Sequence, residues 1–205
     1  MAQRKPGQAS FEGGDQPAPP ANRLFFALLP DAAGAELAWA LARHGCEEQG
    51  VKLRANARER FHITLFHVGD YVSLPEQVLE RARLAARQVA MPPFDVRLDS
   101  LSCFKGGPRR VPVVLMSRAP QGLLDFQARL QRQLHKAGLV EPGPLRPFRP
   151  HLTLFYGQRP VEAQVVDPLC WTAREFVLIN SLIGQGRYIV LNRWPLLAVD
   201  GQPHP

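Results

Sequence analysis

One repeated stretch constrains this chain more than anything else in it: FHITLFHVGD, positions 61–70, returns as PHLTLFYGQR at positions 150–159. In each copy a His stands two residues before a Thr, with an apolar residue between them and a Leu after. The only threonines are Thr64, Thr153 and Thr172, so two of the three follow a His at the same spacing. Shuffling this composition would give that only roughly a few times in a thousand, so the match counts as signal. Residues two apart on an extended strand share a face. His62 and Thr64 are therefore expected to point one way, with Phe61, Ile63 and Leu65 on the reverse. Likewise His151 and Thr153 share a face, anchored from behind by Leu152 and Leu154. The fold must supply two such strands.

The segments around the motifs repeat too. RLFFALL, from Arg23, reads as a buried strand, and Asp31 caps a helix expected to stop at Gly45 before the first motif. VPVVLMS, from Val111, reads as a strand, followed by a helix with Leu123, Leu130, Leu134 and Ala137 on one stripe and Gly138 at its end. Arg23 lies 39 positions before His62, and Val111 lies 40 before His151. That spacing predicts an internal duplication over about 23–70 and 111–159. After the first motif, Ser73 and Glu76 form an expected capping box ahead of a helix, and FDVRLDSLSCF alternates as a strand. After the second motif, REFVLINSLIG and RYIVLNRWPL flank a GQG turn as a hairpin. Short strands mixed with three helices indicate an α+β protein with largely antiparallel sheets.

Composition sets the outer limits. Positions 1–22, rich in Gly, Pro and Gln, read as a disordered leader, 23–199 as the folded domain, and 200–205 as a frayed tail. No apolar run approaches a membrane span, so no membrane partner is expected. Three cysteines without CxxC spacing argue against a disulfide framework or zinc site and suggest a cytoplasmic protein. The net charge of +7 comes almost entirely from Arg, since only Lys5, Lys52, Lys105 and Lys136 are Lys. Arg suits bidentate phosphate recognition, and a basic balance fits an anionic partner such as nucleic acid.

Two imidazoles and two hydroxyls facing one space suit phosphoester chemistry. One His can take a proton from an attacking water while the other gives one to the leaving oxygen. The Thr hydroxyls can meet the non-bridging oxygens as charge builds on them. No metal is required, and no cofactor is expected. A metal site would need a third ligand. His67 and Asp70 are nearest, but simple alternation turns His67 away from His62, which leaves it as surface.

The paired HxTL tetrapeptides at His62–Leu65 and His151–Leu154, with RLFFALLP, RPFRPHLTL and RYIVLNRWPL in order, resemble the two-histidine phosphoesterase superfamily. More narrowly, the chain is similar to bacterial RNA 2′,3′-cyclic phosphodiesterases, also called 2′-5′ RNA ligases. The resemblance runs from about Arg23 to Leu197. It implies a bilobal fold with pseudo-twofold internal duplication, helices flanking the sheets and an active-site cleft between the lobes. It further implies metal-independent hydrolysis of RNA 2′,3′-cyclic phosphate ends to 2′-phosphates, reversed in some members as 2′-5′ ligation. By motif match His62 is the proton donor to the 3′ oxygen, His151 the proton acceptor from water, and Thr64 and Thr153 hold the phosphate. Many relatives carry a basic residue shortly after the second motif, where this chain has Phe155 and Tyr156. Arg149 and Arg159 are the candidates to take over that contact. A monomer acting on RNA ends is expected. The alternatives are a phosphoesterase on small cyclic nucleotides or an ADP-ribose cyclic phosphate, and a non-catalytic RNA-end binder.

Overall fold

The computed structural model of the protein describes residues 18–52, 58–107, 110–140 and 147–197. Among these, eight strands form one fully antiparallel sheet. They are β1 (Asn22–Leu28), β2 (Ile63–Tyr71), β3 (Phe94–Cys103), β4 (Val111–Met116), β5 (His151–Gly157), β6 (Gln164–Ala173), β7 (Glu175–Leu182) and β8 (Arg187–Pro195). Three helices accompany them: α1 (Ala32–Gln49), α2 (Glu76–Arg87) and α3 (Gln121–Lys136). The spatial order is β6-β3-β4-β5-β2-β1-β7-β8. It is the same seen from either end: β1-α1-β2 on one side of the middle corresponds to β4-α3-β5 on the other. The two four-stranded halves join at a single facing pair, Ile63 and Leu152.

The helices cover one face of the sheet. α1 packs on β5 and β6, α3 on β3 and β2, and α2 on α3 and β8. Helix α3 turns Leu123, Phe126, Leu130 and Leu134 inward, the stripe that its period predicts, with Phe126 added and Ala137 just past its end. From β1, Leu24, Phe26 and Leu28 join this main core, while Phe25 and Ala27 point to the opposite face and pack with Val177 and Ile179. The motif anchors sit fully in the main core: Ile63 and Leu152 are 0% exposed. Burial on that scale is worth about 1.5–3 kcal/mol per side chain. The hydrophobic reverse of each motif thus fixes which way its His and Thr look.

Several sequence expectations change. Helix α1 does not stop at Gly45 but runs on to Gln49 and ends on Gly50, whose φ of 64° suits glycine. Gly45 stays inside the helix because the Phe155 ring comes so close that a Cβ there would meet it at 2.6 Å. Helix α2 starts at Glu76 behind Pro75, and no side chain caps it, so Ser73 and Glu76 form no capping box. Strand β6 is not among the expected elements. Asn22, counted with the leader, opens β1. Positions 1–17 and 198–205, which hold most of the expected leader and the tail, lie outside the described residues.

The motif strands also carry a shared irregularity. Ala27 faces Thr64 and Phe26 faces Phe66, so Leu65 is an extra residue in β2. In β5 the same happens one residue after the Thr: Val114 faces Thr153 and Val113 faces Phe155, leaving Leu154 extra. A bulge of this kind shifts the alternation by one. Leu65 and Phe66 both pack on the main core, as do Leu154 and Phe155. Consequently His67, opposite Phe25, and Tyr156, opposite Pro112, return to the face that carries the motif His and Thr. The expectation that His67 turns away from His62 is corrected by this bulge.

Candidate active site

The Ile63–Leu152 pairing brings the two motifs side by side. Both side chains point into the core, so the flanking positions turn to the helix-free face: His62 next to Thr153 on one side of the join, Thr64 next to His151 on the other. All four are partly buried. A quartet that lies 89 residues apart in sequence becomes one polar cluster at the middle of the sheet.

Each histidine is held in the same way. His62 Nδ1 lies 2.7 Å from the carbonyl oxygen of Arg60, and His151 Nδ1 lies 2.7 Å from that of Arg149. A carbonyl can only accept, so in both neutral rings Nδ1 carries the hydrogen and Nε2 carries the lone pair. His62 Nε2 stands 3.0 Å from the Thr64 hydroxyl, which donates to it in that state. Aromatic rings brace the imidazoles: Tyr188, edge-on, and Phe25, tilted, lie with centroids 5.4 and 5.1 Å from His62, and Phe104 lies edge-on 4.6 Å from His151.

The arginines that lend these carbonyls also contribute their side chains. The Arg60 guanidinium lies 4.7 Å over the Tyr188 ring, and that of Arg149 lies 5.0 Å over the Phe104 ring. Arg60 Nε is buried and has no acceptor among the described residues. Arg149 is one of the two candidates for a phosphate contact, with Arg159; Arg60 is not among those expected. Its signal is nonetheless present, because Arg60 precedes His62 by the same two positions as Arg149 precedes His151. Arg159 is not brought to the cluster. Its backbone N–H donates to Gln49 Oε1 at 3.1 Å and its carbonyl accepts from Gln49 Nε2, at the end of α1.

Burial dominates the electrostatics. It lowers the His62 pKa to about 4, opposed by the Arg60 carbonyl and reinforced by the charges of His151 and Arg60. His151 is lowered as well, again by burial first, with the charge of Arg149 adding to it. Burial thus favours the neutral form of both rings. Further along the same face, His67 Nε2 and Arg23 both engage Asp70, at 2.8 Å and at 2.8 and 2.6 Å. Arg23 holds that carboxyl well below the usual carboxylate range, with His67 helping. Among the described residues, no three of His, Cys, Asp and Glu are grouped so as to hold a metal ion. Nor is any described helix long and apolar enough to cross a membrane.

Solved structures share this architecture. E. coli LigT in its apo form is 29% identical, with 87% of this chain and 99% of that one aligned at a TM-score of 0.62. LigT complexed with 3′-AMP aligns at 27% identity, 87% and 99% coverage and a TM-score of 0.60. TT0787 of Thermus thermophilus aligns at 25% identity over 86% and 98%, with a TM-score of 0.67. No curated protein matches. The family model described as the 2′-5′ RNA ligase superfamily matches residues 30–182, which take in both motifs and six of the eight strands from start to end. By that match and by the paired His-x-Thr strands at its centre, the chain belongs to the 2′-5′ RNA ligase superfamily, the two-histidine phosphoesterases.

Proposed function

We propose that the protein hydrolyses RNA 2′,3′-cyclic phosphate ends to 2′-phosphates by two-histidine acid–base catalysis, without a metal ion. One observation carries this reading: two imidazoles on adjoining strands, each with Nδ1 fixed on an Arg carbonyl at 2.7 Å, leaving each Nε2 for proton transfer. His151 Nε2 takes a proton from water as the water oxygen attacks phosphorus. The bond from phosphorus to the 3′ oxygen breaks, and His62, protonated at Nε2, gives that oxygen its hydrogen. One water is consumed, and solvent exchange restores both rings.

The remaining groups fit the same step. Arg60 and Arg149 flank the cluster from opposite halves, where their guanidiniums can meet the phosphate oxygens in forked geometry. Thr64 and Thr153 supply hydroxyl donors. The low His62 pKa makes its imidazolium a strong acid, and a bound phosphate anion raises that pKa enough to load the proton. LigT, complexed with 3′-AMP, supports a nucleotide end as the ligand class. Two similarly oriented imidazoles favour a catalyst over an inert binder, which needs no pair of proton-transfer groups. Chromatography of the products from an RNA ending in a 2′,3′-cyclic phosphate tests the reading, with a 2′-phosphate expected and an unchanged substrate contradicting it.

A further inference from the structure

The two halves correspond strand for strand, apart from a second bulge at Val68 in β2, but they differ in charge. In one half Phe25 faces His67, and in the other Pro112 faces Tyr156. Two residues before these facing positions stand Arg23 and Arg110, which therefore occupy corresponding places at the outer end of the helix-free face. Arg23 is neutralised by a bidentate pair with Asp70. After Tyr156 the chain continues Gly157, Gln158, Arg159, and no carboxylate stands where Asp70 does. Arg110 is exposed, and its guanidinium lies 4.7 Å over the ring of Tyr156, which is itself 51% exposed.

The backbone holds Arg110 in place. Its N–H donates to the Gly107 carbonyl at 3.1 Å, and its own carbonyl passes so close to Gly106 that a Cβ there would meet it at 2.2 Å. A guanidinium held over an aromatic ring by cation–π attraction still has N–H groups to offer an anion. The ring also takes away part of the rotational freedom such a contact would otherwise cost.

We infer that Arg110, laid on Tyr156, forms a subsite for a second phosphate, so that the cleft prefers a polynucleotide chain to a mononucleotide and holds it on the half that carries His151. The inference rests on the reading under Proposed function. Phosphates of the chain would meet Arg110, which no described carboxylate pairs, while Asp70 closes the corresponding place in the other half to anions.

Two variants test it, Arg110→Gln and Arg23→Gln, each with two readouts. The first is the ratio of kcat/KM for a tetranucleotide to that for a mononucleotide, both ending in 2′,3′-cyclic phosphate. Loss of one charged phosphate contact is expected to lower this ratio about tenfold in Arg110→Gln and to leave it unchanged in Arg23→Gln. The second is the salt dependence of binding an RNA tetramer that ends in a 2′-phosphate. The slope of log K against log salt is expected to fall by about 0.7 in Arg110→Gln alone. A ratio and slope that match wild type in Arg110→Gln, or that change equally in Arg23→Gln, would overturn the inference. If wild-type protein turns over neither substrate, the hydrolytic reading fails, and the binding slope still decides the subsite.

Discussion

His62 and Arg60 are joined twice: the Arg60 carbonyl orients the His62 ring at 2.7 Å, and the Arg60 charge helps keep that ring unprotonated. The same relation holds between His151 and Arg149. Each arginine thus orients its histidine from the backbone while its side chain lies over an aromatic ring. An anion arriving between the two would oppose that balance, since a negative phosphate favours the charged imidazole that burial disfavours.

Replacing either histidine with Ala is expected to lower kcat on the order of 10²–10⁴-fold, the usual worth of a positioned acid or base. Both rings sit on the helix-free face, so thermal unfolding should stay within a few degrees of wild type. Steady-state kinetics beside a melting curve checks both halves of the claim. Near-wild-type turnover in either variant would remove that residue from its role.

The pH dependence follows from the lowered pKa values. The productive form carries one proton on the pair. kcat/KM should therefore rise through about pH 4, where His62 and His151 together lose the first proton, and fall as pH passes the lowered pKa of His151. The optimum is expected on the acid side of 6.5, the ordinary imidazole value. A plateau extending through pH 8 would show that burial does not set these groups. The same shift acts on stability. Unfolded His62 titrates near its ordinary value and folded His62 near 4, so the unfolded state binds more protons in between. Stability is fully present above about 6.5 and declines as pH falls towards 4.

Arg60→Gln and Arg149→Gln should each reduce kcat/KM by roughly 10- to 100-fold, the worth of one charged contact to phosphate. Lys at either place should recover only part of the loss, because an ammonium does not fork onto two oxygens as a guanidinium does. Full rescue by Lys would mean that charge alone matters there.

Thr64→Val and Thr153→Val keep shape and remove a hydroxyl. Each is expected to lower kcat by about 10², in line with the loss of one donor to developing negative charge. An effect on KM alone would recast the hydroxyls as ground-state contacts.

Much of this is readable in the sequence because it depends on period and side-chain type. The alternation around His62 and His151 indicates both strands and the facing of the quartet, and Asp31 accepts from Gly34 N–H as the expected cap. What escapes depends on neighbours. Gly45 looks like a helix stop, but the approach of Phe155 from β5 explains it. Strand β6 contains Pro168, which argues against a central strand; β6 lies at the sheet edge, where a missing N–H is tolerated. The bulges leave a trace in the paired apolar residues Leu65-Phe66 and Leu154-Phe155, since a regular strand would not send both inward. Only the register shows that they return His67 and Tyr156 to the helix-free face.

The most direct measurement is phosphorus NMR of a short RNA ending in a 2′,3′-cyclic phosphate, incubated in excess EDTA with wild-type protein and with His62→Ala and His151→Ala. The account predicts that wild type converts the cyclic signal to a 2′-phosphate while both variants leave it essentially intact. A cyclic signal that persists with wild-type protein, or that disappears equally fast with the variants, would contradict it.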